Sequence, residues 1–224
     1  MSLNFAALLP YVDMFVQGAW VTFTISLLSI ASSFALALPL VLTRVSPNRV
    51  LSTFAKFYVH LFRNTPLLVL LFVIYFGLGS AGIIVSSYVS GWIALTLNSA
   101  AYTTEIYRGG INGVDPGQRE ASAALGFSTL QTWRYFVLPQ AIRFAFYPLG
   151  NQIVATVLGS ALVMVVAAPD ITYASLTVGS YTFRYFEAFI AAGLVYIVLV
   201  QVINYGWRSL GRVALPKHAE AMAR

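Results

Sequence analysis

Polar side chains set inside long apolar runs are the residues of this chain whose types and spacing could do chemistry. Asn98 and Tyr102 stand one helical turn apart, Glu105 and Arg108 follow on the same stretch, and Asn151 with Gln152 interrupts a later run. An amide or phenol among apolar neighbours must hydrogen-bond, so each is either a tie between helices or a contact for a polar ligand. For Gln152 the tie weighs more. For Asn98 and Asn151 the two roles weigh equally, and Tyr102 fits a cavity face as well as core packing. The predicted substrate-binding set is Asn98, Tyr102 and Asn151. Glu105 and Arg108, at i,i+3, suit a structural ion pair. Metal and nucleotide chemistry find no footing. The chain has no cysteine, and its two histidines, His60 and His218, have no ligand partner at helical spacing. Its only lysines, Lys56 and Lys217, follow no G-x-x-x-x-G-K-[ST] phosphate loop.

The elements that must position these residues are apolar helices. Hydrophobic residues make up 59% of the 224 and charged ones 9%, with a mean hydropathy of +0.79. That is too little charge to cover a soluble domain. Charge-free runs cover 14–43, 64–104, 144–169 and 188–207, and a crossing needs about 20 residues. The second run suffices for two crossings and contains Gly77, Gly79 and Gly82. The reading is an all-α membrane protein, a single domain over 1–224, with five spans near 17–42, 60–80, 88–107, 145–168 and 187–209. The runs do not alternate as barrel strands do. Twelve of the thirteen basic residues fall between spans one and two, between three and four, after five, or at the adjoining span ends, and only Arg184 lies opposite. The crowded side is therefore cytoplasmic, with the N-terminus outside and the C-terminus inside. The net charge of +6 is spread by topology and makes no nucleic-acid stripe. No basic residue precedes Arg44, so a cleavable secretory signal is not expected.

The cytoplasmic loop 108–144 is the most informative segment. Asp115, Pro116 and Gln118 have the chemistry of a helix start, and Gly126 that of its left-handed stop. Ser128 and Gln131 repeat the capping pattern, and the second short helix is expected to end before Pro139. Such a two-helix bracket is either a structural hairpin on the membrane surface or a docking element whose alanine-rich first helix lets another protein approach closely.

The stretch EASAALG from Glu120 to Gly126, with Leu138 and Pro139 beyond, resembles the EAA signature of permease subunits in binding-protein-dependent ABC importers. The spacing from Glu120 to Pro139 agrees throughout, with Ser122 replacing the second alanine and Phe136 an aliphatic residue. RNTPLL (63–68), AYTTEIYRGGI (101–111), VDPGQREA (114–121) and LPQAIR (138–143), with Pro148 and Asn151 beyond, are similar to elements of polar amino-acid permeases, and the likeness spans about 16–212. At Leu158 to Leu162 the chain reads LGSAL where that subfamily often has Lys-Asp-Thr-Ser-Leu. The departure inclines the expectation toward a pair of non-identical permeases.

The resemblance implies a type I importer permease in the inner membrane, moving an amino acid by alternating access. It implies a second permease, two ATPase subunits carrying ATP and Mg, and an external solute-binding protein, with no cofactor on this chain. ATPase docking is expected at Arg119, Glu120, Ala121, Ala124 and Gly126. The rival readings are a self-sufficient channel or secondary transporter, and a membrane scaffold that recruits a cytoplasmic protein.

Overall fold

The chain folds as a succession of helices, seen in a computed structural model that describes residues 3–214, with no strand among them. They are α1 (Phe5–Arg44), α2 (Arg49–Asn64), α3 (Leu67–Ser80), α4 (Ser87–Asn112), α5 (Pro116–Ala124), α6 (Thr129–Val166), α7 (Ile171–Thr182) and α8 (Tyr185–Ala214). Lys217, His218 and Arg224 of the C-terminal tail lie outside the described residues.

Three helices, α1, α6 and α8, are each long and apolar enough to cross a membrane, and α2 with α3 makes a fourth if the bent pair is one span. The unbroken span expected over 60–80 is divided. α2 and α3 meet at 103° because Pro66 has no N–H to donate and forces the residue before it out of helical conformation. Thr65 accordingly sits at φ −96°, ψ 126°. Residues 60–64 end α2, and α3 starts afresh at Leu67.

α4 has 26 residues, the length of a crossing, but falls short in hydropathy. Its position explains the composition. It packs most extensively against α1 and then α6, burying Ser90, Thr96, Ser99, Thr103 and Thr104 against protein rather than lipid. A Cβ at Gly91 would come within 2.7 Å of the Val163 side chain, so α4 and α6 approach closely only because that side chain is missing. Ile25, Leu95, Val163 and Ala168 form the core at this crossing of α1, α4 and α6.

One element went unforeseen. α7 fills the connection between the last two expected spans. Asp170, fully buried, starts it by accepting from Tyr173 N–H at 2.8 Å and also accepts from Tyr196 Oη at 3.1 Å. Ile171 N–H donates to Thr22 Oγ1 at 3.2 Å, tying α7 to α1. The pair Pro169–Asp170 was the sequence signal for this helix start.

Candidate functional site

Two features stand out: the bracket built by α5 and the start of α6, and a cavity at the α2–α3 break. In the bracket, Asp115 accepts from Gly117 N–H at 2.7 Å, with Pro116 in the first turn of α5. The chain turns at Gly126, where φ is +82°. Phe127 N–H reaches Ser122 O at 3.1 Å and Gly126 N–H reaches Ala123 O at 3.0 Å, the paired bonds of a Schellman stop. Ser128 and Gln131 then exchange bonds as a capping box.

The second helix does not end before Pro139. It runs on into α6, because a π-helical turn at Trp133–Val137 absorbs the proline. Leu138 N–H reaches back five residues to Trp133 O, so the widened turn leaves room for a ring that an α-helical turn would exclude. The second arm of the bracket is therefore continuous with α6.

Both departures from the EAA signature support the bracket. Ser122 Oγ and Thr132 Oγ1 lie 2.9 Å apart, joining the two arms by a buried hydrogen bond. Phe136 packs edge-on against Phe127, centroids 5.1 Å apart. Val114 and Val137 bury beside Val41, Ile111 and Ala141, fixing the bracket to α1 and α4. Arg119 lies over the Trp133 ring at 5.0 Å. Glu120, Ala121 and Ala124 are exposed, beside Leu125 at 74% and Leu130 at 78% exposure. Glu120 makes no ion pair among the described residues.

Above the bracket, Glu105 bonds Arg108 at 2.6 Å and lies 3.4 Å from Arg44 Nε, linking the ends of α1 and α4.

The cavity is an open cleft of about 340 Å³. Leu67, Leu95 and Ala155 give it an apolar lining, and Asn98, Ser99 and Tyr102 of α4 with Gln152 and Thr156 of α6 a polar one. The break at Pro66 dictates much of this arrangement, since the last carbonyls of a helix lack internal donors. Asn98 Nδ2 donates to Phe62 O at 2.8 Å, and Tyr102 Oη to Arg63 O at 3.3 Å. The Arg63 guanidinium rests over the Tyr102 ring at 5.1 Å. Across the cavity, Gln152 Nε2 donates to Ser99 Oγ at 3.2 Å, and Ser99 and Thr156 hydroxyls meet at 2.9 Å.

Asn98 and Tyr102 thus share a wall. Asn151 does not join them; it is exposed on the outer face of α6 while its neighbour Gln152 turns inward. Sequence reasoning also missed Ser99 and Thr156, although Thr156 is one turn after Gln152 and Ser99 adjoins Asn98. Among the described residues no charged side chain lines the cavity. In the LGSAL stretch, Gly159 abuts Leu67 and Leu95, where its Cβ would lie 3.2 and 3.5 Å away.

Comparison with known proteins places these features in context. The family described as binding-protein-dependent transport system inner membrane component matches residues 33–211. The arginine transport system permease protein ArtQ of Bacillus subtilis is 34% identical over 213 residues, covering 95% of this chain and 97% of that one. The nopaline transport system permease protein NocM of Agrobacterium fabrum is 37% identical, over 82% of this chain and 80% of its own. Among solved structures, the crystal structure of an amino acid ABC transporter with histidines superposes with a TM-score of 0.88 at 33% identity, covering 95% of this chain and 99% of that one. An inward-facing MetNI methionine ABC transporter shares the fold, with a TM-score of 0.73 at 20% identity over 92% and 99% of the two chains.

Proposed function

The chain belongs to the family of binding-protein-dependent transport system inner membrane components, and from that premise we propose that it is the permease subunit of an ABC importer for amino acids. The observation that carries the mechanism is the bracket. It is capped at each helix, continuous with α6 and rooted in the core, yet it turns Glu120, Ala121, Ala124 and Leu125 outward. A lever with an uncovered, small-residue surface suits docking of an ATPase, which would supply the ATP and Mg this chain has no loop to hold. Arg119, pinned over Trp133, and Gly126, the turn, would hold the docking surface in shape.

In this reading two copies of the ATPase drive a pair of permeases between inward-open and outward-open states, and an extracytoplasmic solute-binding protein delivers the amino acid. The cavity at the α2–α3 break lies on the pathway, with Asn98 and Tyr102 on its wall and Gln152 opposite. Asn151, an exposed amide in the charge-free part of α6, would face the second permease rather than lipid, where its polar groups would go unpaired. The test is to purify the chain with the proteins that accompany it. An ATPase should co-elute and the reconstituted complex should take up an amino acid only with ATP. Uptake without any ATPase would favour the channel or secondary-transporter reading, and ATPase recovery without solute movement would favour a scaffold.

Five crossings with the N-terminus outside complete the reading: α1, α3 beyond the bend that ends α2, α4, α6 and α8 in the inner membrane. The twelve-to-one partition of basic residues supports it. With no native cysteine, single probes report cleanly. A cysteine at Ser86, before α4, should react with an impermeant maleimide in spheroplasts, and one at Ser128 only after lysis. Labelling of Ser128 in intact spheroplasts would sink the orientation.

A further inference from the structure

We propose that α2 is a lipid-binding helix of the cytoplasmic interface, seating an apolar row in the acyl chains and a basic row on the phosphates of anionic phospholipids. The helix has three distinct faces. Ala55 and Val59 are buried against the bundle, and Tyr58 Oη donates to Leu97 O at 2.9 Å. Turned away from the bundle, Val50, Phe54, Phe57 and Leu61 recur at spacings of four, three and four and are all exposed, the two phenylalanines by 63% and 64%. Beside that row run Arg49, Lys56, His60 and Arg63, the three permanent cations seven residues apart, of which Arg63 rests on the Tyr102 ring and leaves Arg49 and Lys56 for the phosphates.

Charge decides the occupant. Residues 49–64 include no acidic side chain, and among the described residues none of the three cations forms an ion pair. An apolar row flanked by unpaired cations matches a leaflet whose phosphates lie just above its acyl chains. A free phosphate would leave the phenylalanines uncovered. The course of the chain agrees. Ser52 Oγ donates to Arg44 O at 3.3 Å, holding the start of α2 at the end of α1, and the 103° bend turns α2 across the direction of α3. The inference rests on the orientation proposed above, because anionic lipid is richest on the cytoplasmic leaflet.

The test uses the full chain, each variant carrying one nitroxide on an introduced cysteine, in phosphatidylcholine vesicles with and without phosphatidylglycerol. Labels at Phe54→Cys and Phe57→Cys should be relaxed by oxygen and shielded from a nickel chelate, and a label at His60→Cys should show the reverse. Spin-labelled phosphatidylglycerol should be held in preference to the choline lipid. Lys56→Gln, a surface change that leaves the buried face intact, should lower that preference about five-fold. Strong dipolar coupling between Phe57→Cys labels of two copies would make the row a subunit interface and overturn the proposal. Equal retention of the two lipids by the unsubstituted chain would also overturn it. The Ser86 and Ser128 probes read orientation separately, so a helix seated in lipid on the opposite side would sink the orientation alone.

Discussion

Replacing Gly126 with valine is expected to cut recovery of the ATPase with this chain at least about ten-fold, equivalent to 1.4 kcal/mol of docking free energy. Position 126 sits at φ +82°, a conformation costing an L-residue about 1–2 kcal/mol, with a β-branched side chain among the worst placed. Nothing crowds a Cβ there, so backbone conformation alone is at issue. Relief of the strain would break the two bonds closing α5 onto Ser122 and Ala123 and swing Glu120 and Ala121 away from their positions. The spans, rooted elsewhere, should still insert. Gly126→Asn, which tolerates the left-handed region, should retain most of the recovery, separating conformation from side-chain size. Ala121→Trp is the complementary change. Ala121 is exposed, so folding should hold while an indole blocks close approach of a partner. Glu120→Ala should act in the same direction and more weakly. The measurements are membrane insertion, ATPase recovery and substrate-stimulated hydrolysis on each variant. Normal values in both Gly126→Val and Ala121→Trp would remove the bracket from docking.

Asn98→Leu should lower amino-acid uptake by an order of magnitude or more while the ATPase still co-purifies. Its amide donates to Phe62 O at 2.8 Å, and leaving a carbonyl of this kind unpaired costs about 1–3 kcal/mol. The broken end of α2 would shift to recover a donor, moving Leu67 and the Arg63–Tyr102 stack at the cavity wall. Asn98→Asp keeps the volume but turns an acceptor toward an acceptor, so it should be no better than leucine. Tyr102→Phe should be milder, since it removes a 3.3 Å bond and keeps the ring under Arg63. Substrate affinity and maximal uptake rate, measured with thermal stability of the complex, separate the two contributions of Asn98. A drop in stability with unchanged affinity means the amide only holds α2. Wild-type kinetics in Asn98→Leu would take it out of the pathway.

Much of this architecture was legible in the residues. Charge-free runs located α1, α6 and α8 because a lipid-facing helix carries its signature in every residue, and α4 because it stays uncharged as far as Glu105 although it packs against protein. The caps at Asp115, Gly126 and Ser128 were equally local, each set by a side chain and backbone groups within a few positions. The Glu105–Arg108 spacing likewise named two residues that meet, but not Arg44, which reaches them from another helix.

What tertiary structure alone decided involves groups far apart in sequence or strain relieved elsewhere. Pro139 reads as a stop, yet a π-turn one step earlier carries the helix through it and makes the bracket's second arm continuous with α6. Pro66 does break its helix, but the 103° bend is held by Asn98 and Tyr102 of α4, which supply the donors that α2's last carbonyls lack. Asn151 and Gln152 are adjacent and chemically alike. A helix separates neighbours by about 100° around its axis, so packing of α6 against α4 sent one amide into the cavity and left the other outside.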